Sequence, residues 1–180
     1  RQPPAGDSAA VRDAAKLLVA ADNPVIITSR CARTPVGLKL LVELAEALQA
    51  GVVDQHRRMN FPTRHPLNGG AANQADVVLA LEAGDISNVT RQAAQRSAKV
   101  ISITAGDLFQ RSNYGDYMRY AEVDLSIAAD AEATLPALVE EVRRLTTADR
   151  KRAFEARGVK IAAANHETRE RAKTEATYGW

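Results

Sequence analysis

The sequence predicts an α/β domain of Rossmann-like type: a three-layer α/β/α arrangement with a parallel sheet of about six strands. Three observations predict it. A short run that is apolar throughout, Val25-Ile26-Ile27, lies between two amphipathic stretches. Further strand-like runs follow at residues 76–81 (DVVLAL), 99–104 (KVISIT) and 124–128 (DLSIA). Strands and helices then alternate over most of the 180 residues. A fully apolar run between helices marks a parallel strand buried on both faces.

In chain order, residues 1–6 are Pro-rich and read as a linker. Asp7 or Ser8 caps a first helix over residues 8–21, whose apolar face is Val11, Ala14, Ala15, Leu18 and Val19. Asn23-Pro24 ends it, because the residue before proline is pushed out of the helical region. Residues 25–28 form the first strand, expected at the centre of the sheet. Ligand crevices in such sheets lie beyond the carboxyl ends of the strands, so the loop 29–34 is the first place to look for a site. Thr34 caps a second helix, Pro35–Leu48, with Pro35 at its favoured first position.

Residues 51–53 make a second, short strand, and residues 54–73 are irregular and rich in Pro, Gly, His and Arg. A loop of that length is either functional or disordered. DVVLAL is the clearest strand. A polar turn, 82–88, and a short amphipathic helix through Ser97 follow it. KVISIT is the fourth strand. A second long connection, 105–121, holds Gly106, Asp107, Gly115 and several tyrosines. DLSIA is the fifth strand, and Asp130 caps a helix running to about Leu145, with Pro136 early in it. Residues 1–146 therefore make the domain. Residues 147–180 are charged, Ala-rich, poorly striped and interrupted by Gly158. They are expected to be a helical or frayed extension toward a missing domain that adds little to the core.

Hydrophobic residues make up 46% of the chain, which argues against disorder. A formal net charge of +2 gives no support to nucleic-acid binding. No apolar run is long enough to cross a membrane, and no cleavable leader is recognisable. The single Cys31 cannot form an internal disulfide, so a cytoplasmic setting is expected. The chain starts at Arg1 without methionine and is expected to be a piece of something longer or a processed product. His65, between Pro62 and Pro66, is either a positioned acid or base or a structural residue. His56 with Arg57 and Arg58 can face an acidic ligand. No acidic partner stands at ligand spacing, so no metal site is expected.

The ordered set NPVIIT, LAEALQAGVV, FPTRHPLNGG, ADVVLAL, KVISIT and DLSIAADAEATLPALVEEV resembles the central domain of thiamine-diphosphate-dependent enzymes. That family includes acetolactate synthase, pyruvate oxidase, benzoylformate decarboxylase and oxalyl-CoA decarboxylase. The resemblance runs from about Ser8 to Leu145, and FPTRHP at 61–66 looks most like the benzoylformate decarboxylase branch.

The resemblance implies a parent enzyme, a lyase or transferase, that acts on 2-oxo acids as decarboxylase or carboligase. Thiamine diphosphate and magnesium would be bound by flanking pyrimidine- and diphosphate-binding domains, in a homo-oligomer. The Gly-Asp-Gly motif of the magnesium-binding domain is absent here, so no catalytic residue is expected in this fragment. The central domain is mainly architectural, and in some members it binds FAD or ADP. The positions matching that role are Ser29, Arg30 and Arg33, with Thr104, Asp107 and Asp130. Glycine is missing from the turn after the first strand, and Thr104 stands where an acid would hold a ribose. FAD is therefore not expected. The plainer alternatives are solvated arginines and a helix-capping Asp130. In the family, the loop after the third strand usually starts with glycine and can border the active site. Here Glu82 takes that place, and Asp85, Ser87 and Asn88 are candidates for substrate contact. The competing functions are a stand-alone Rossmann-type NAD- or FAD-binding module, such as one like the NAD-dependent deacetylases, and a ligand-free assembly domain.

Overall fold

The computed structural model describes residues 2–55, 60–70, 72–84, 98–108 and 122–178. Five parallel strands form one sheet: β1 (Pro24–Thr28), β2 (Gly51–Asp54), β3 (Val77–Leu81), β4 (Lys99–Thr104) and β5 (Leu125–Ala128). Their order is β2-β1-β3-β4-β5. The described residues thus hold five strands rather than about six. β1 is interior and buried along its whole length, as its apolar run requires, but the middle position belongs to β3.

The register explains how the apolar runs are used. Ile26 lies beside Val52 and Leu79, and Leu79 beside Ile101. Side chains alternate along a strand, so these residues share one face. That face carries the larger core, built with α1 (Ser8–Ala20), α2 (Pro35–Leu48) and α3 (Ala131–Leu145). Val25, Ile27, Val78 and Val100 point the other way into a smaller cluster with Ala75 and Ala98. The helix expected up to Ser97 lies outside the described residues.

Each of these helices starts on a side-chain cap. Asp7 accepts from Ala9 N and Ala10 N, Thr34 from Gly37 N, and Asp130 from Ala133 N. Such caps each contribute about 1 kcal/mol. Pro136 sits in the second turn of α3, where it removes one backbone donor without breaking the helix. Gly37 allows α2 to approach α3: a Cβ there would stand 2.4 Å from the Glu132 carboxylate.

Residues 148–178 form one long helix, α4 (Ala148–Tyr178). The expectation that this stretch adds little to the core fails for its first turns. Phe154 is among the largest fully buried side chains. The Arg150 and Arg157 guanidinium groups lie over its ring, 5.2 and 4.6 Å from the centroid. Arg150 donates to the carbonyls of Val19 and Ala21 at the end of α1. Arg157 donates to Ala21, Asp22, Leu48 and Gln49, joining the ends of α1 and α2. Helix C-termini leave carbonyls unsatisfied and carry partial negative charge, so two cations there fit both needs. Burial pulls the Arg157 pKa down to about 10, which leaves it charged at neutral pH. Further along, Asn165 donates to the Pro66 carbonyl and Arg169 to those of Arg64 and His65.

Two outcomes follow from this packing. Phe154→Ala is expected to lower stability by about 3–5 kcal/mol, and Arg157→Lys, which keeps charge but loses the planar fork, by about 1–3 kcal/mol. Urea unfolding of both variants measures this, and wild-type stability in either would mean that α4 is not docked as described.

Asp124 makes the fold sensitive to acid. Asp124 accepts from Lys99 Nζ at 2.7 Å and from Val100 N at 2.8 Å. The Lys99 bond first, then the amide, hold its carboxyl below the usual range. A depressed folded-state pKa contributes stability above the unfolded pKa, about 4, and loses it as pH falls below that. The side chain is about one-third exposed, so the contribution is about 1 kcal/mol or less. Asp124→Asn is expected to remove this part of the acid dependence while leaving the rest of the stability–pH curve in place.

Candidate functional site at the carboxyl edge

The chain runs from β1 outward to β2 and then returns past β1 to β3. The switch point therefore lies between the carboxyl ends of β1 and β3, where open α/β sheets hold ligands. Ser29 follows β1 and is buried, its amide donating to the Leu81 carbonyl at 3.1 Å. That bond ties the two strand ends together. The Gly84 amide donates to Gln55 Oε1 at 3.3 Å, bridging the loops after β3 and β2.

Three carboxylates occupy this edge. Glu82, the residue after β3, accepts from Thr104 Oγ1 at 2.9 Å, from Ala105 N at 3.1 and 3.2 Å, and from Ala131 N at 3.0 Å. Its φ of +48° lies in the left-handed region that glycine tolerates best. Asp130 is buried, caps α3, and accepts from Arg33 at 2.6 Å. Glu132 accepts from Thr34 Oγ1 at 2.8 Å and from the Arg33 and Thr34 amides. The hydrogen bond to Asp130 raises the Arg33 pKa, so its charge is committed to that carboxylate. Cys31 lies buried beneath the group. Burial first, then the charges of Glu82, Glu132 and Asp130, push its thiol well above the ordinary range.

The sequence candidates thus divide. Arg33, Thr104 and Asp130 do come together, but each is bonded to a neighbour from this chain. Arg30 is exposed and has no partner among the described residues. Asp107 falls in a short 3-10 turn, Ala105–Leu108. Asp85, Ser87, Asn88, His56, Arg57 and Arg58 lie outside the described residues. His65 is held structurally: its Nδ1 accepts from Leu67 N at 3.1 Å, its Nε2 faces Glu46 at 3.3 Å, and its ring meets Phe61 edge-on. Sequence reading missed the roles of Glu82 and Glu132. The signal for Glu82 was an acid directly after a strand, at a position where a glycine was expected.

A groove of about 690 Å³ lies at the opposite edge of the sheet, between α4 and the start of β1 and β2. Its Arg157, Asn23 and Asn165 donors already serve carbonyls of the fold. The groove thus lies under α4, with most of its polar side chains engaged by the fold.

A parallel sheet in the order β2-β1-β3-β4-β5, with its switch point between β1 and β3, defines an open α/β domain of Rossmann-like type. Its family is narrower. The family model for the thiamine pyrophosphate enzyme central domain matches residues 11–138, and the chain belongs to that family. Solved structures share the fold. A protein described as a thiamin diphosphate-dependent enzyme from Mycobacterium smegmatis matches with a TM-score of 0.64 and 22% identity, over 83% of this chain and 30% of that one. The benzoylformate decarboxylase from Polynucleobacter necessarius matches with a TM-score of 0.61 and 17% identity, over 79% of this chain and 28% of that one. The chain thus spans less than a third of these proteins. A search of curated proteins gave no match.

The site predicts an inert cysteine. The thiolate is the reactive form, and both burial and the surrounding carboxylates suppress it. Cys31 in the folded protein is expected to resist a thiol reagent at pH 8 and to react only after denaturation. Rapid labelling of the native protein would show that the carboxyl edge is open.

Proposed function

We propose that this chain is the central domain of a thiamine-diphosphate- and magnesium-dependent enzyme that acts on a 2-oxo acid, as decarboxylase or carboligase. The family match over residues 11–138 is the observation that carries this reading. When bound, the cofactor supplies a nucleophilic carbon and an electron sink for the 2-oxo group. The residues here do not fit it. Among the described residues no cluster of three His, Cys, Asp or Glu side chains is placed to hold a metal ion. Glu82, Asp130 and Glu132 already accept from backbone amides. In this reading the cofactor and magnesium belong to flanking pyrimidine- and diphosphate-binding domains of a longer chain, which works as a cytoplasmic homo-oligomer. Among the described residues no helix is long and apolar enough to cross a membrane.

The domain's own part is architectural, and it holds no flavin. Two features support that. The turn after β1 carries a side chain at Ser29, Arg30 and Cys31, so its backbone cannot approach a diphosphate as a glycine turn does. The edge is also lined by carboxylates, which repel one. Asp85, Ser87 and Asn88 are the proposed substrate-facing residues of this domain.

The test compares the full-length enzyme with the 180-residue fragment, both supplied with thiamine diphosphate and magnesium. The full-length enzyme is expected to decarboxylate a 2-oxo acid, to show no visible flavin absorption, and to change KM or kcat when Asp85, Ser87 or Asn88 becomes alanine. The fragment is expected to be inactive. Turnover by the fragment, or a stoichiometric flavin in the full-length protein, would overturn the assignment.

A further inference from the structure

We propose that Glu82 is a built-in anion: its carboxylate fills the position at the carboxyl edge that an external phosphate or carboxylate would otherwise take, and so excludes such ligands from this domain. The inference rests on the reading that the crevice holds no flavin, and it names the residue that closes it.

The geometry is that of a bound anion. Three donors from two separate parts of the chain converge on one carboxylate: Thr104 Oγ1 at the end of β4 and the Ala105 amide that follows it, and the Ala131 amide at the start of α3. Both oxygens are used, Oε1 by Ala105 and Ala131, and Oε2 by Thr104 and Ala105. The donors lie 22, 23 and 49 residues away in sequence, so the side chain is not making a local turn. The backbone of Glu82 adopts a left-handed φ of +48° at this position. A glycine would hold that conformation without strain and would leave the three donors facing an empty space.

The surroundings agree. Arg33 is already committed to Asp130, and Glu132 to Thr34 and the Arg33 amide. With Glu82 in place the edge carries three carboxylates against the engaged Arg33 and the solvent-exposed Arg30, which is a poor setting for a diphosphate. Removing the Glu82 side chain deletes one negative charge and frees donors suited to a small carboxylate.

Glu82→Gly tests this directly, because glycine relieves the backbone while deleting the carboxylate. The melting temperature of the full chain would be measured in sodium chloride and in sodium acetate at equal ionic strength. In chloride, Glu82→Gly is expected to melt about 5 °C below wild type. Acetate is expected to restore part of that loss in the variant while leaving wild type unchanged. Glu82→Gln keeps the bulk, loses the charge, and is expected to melt below wild type with no recovery in acetate, because its own amide blocks the space. This second variant also decides the matter if the glycine variant does not fold. A Glu82→Gly protein that melts like wild type, or that gains no more from acetate than from chloride, would overturn the proposal. So would a Glu82→Gln protein as stable as wild type. None of these outcomes concerns flavin: a wild-type protein that binds FAD would instead remove the reading on which the proposal rests.

Discussion

The carboxyl edge depends on one requirement: backbone amides that point past the ends of the strands need an acceptor. In a nucleotide-binding sheet the ligand supplies it. Here Glu82 supplies it from within the chain, accepting from Thr104, Ala105 and Ala131. One side chain thus joins the end of β3 to the end of β4 and the start of α3. Arg33, Asp130 and Glu132 extend the network to the loop after β1 and the start of α2. The buried Cys31 and the paired Arg33 are consequences of the same arrangement.

The opposite edge obeys the mirror-image requirement. There α1 and α2 end, and their last carbonyls need donors. Arg150 and Arg157 of α4 provide them, stacked on the buried Phe154. One edge of the domain is closed by anions bound to amides, the other by cations bound to carbonyls. Both follow the helix dipoles, which present positive ends at one edge and negative ends at the other. The closeness of this second contact shows at Gly158, where a Cβ would stand 1.9 Å from the Gln49 amide oxygen. Gln49 itself ends α2 in the left-handed conformation.

Much of the fold was legible because its signals are local. Thr34-Pro35 sets the start of α2, Asp130 the start of α3, and the apolar run KVISIT the whole of β4. What was not legible depends on residues far apart. The docking of α4 escaped notice because its contacting face is Arg150, Phe154, Arg157, Ile161, Asn165 and Arg169. That face has helical spacing but little apolar periodicity, and its partners are backbone carbonyls that no sequence pattern displays. The place of β1 beside the middle strand, rather than in the middle, depends on strand order, which local runs do not encode. At the candidate site, Arg33, Thr104 and Asp130 lie at one edge. The pairing of Arg33 with Asp130 was not legible because the two are 97 residues apart, nor that of Thr104 with Glu82, 22 residues apart.

Those commitments also distinguish a filled edge from an open one. An open edge would leave the amides of Ala105 and Ala131 to water or to a ligand. The observed edge is different. Glu82 adopts a left-handed backbone that costs a non-glycine residue about 1 kcal/mol or more, and it satisfies the Thr104 hydroxyl and the Ala105 and Ala131 amides. A strained residue persists only where its surroundings over-determine it, and here the surroundings are the amides themselves. The carboxylate and its donors therefore form one internally satisfied unit. It ties the end of β3 to the end of β4 and the start of α3.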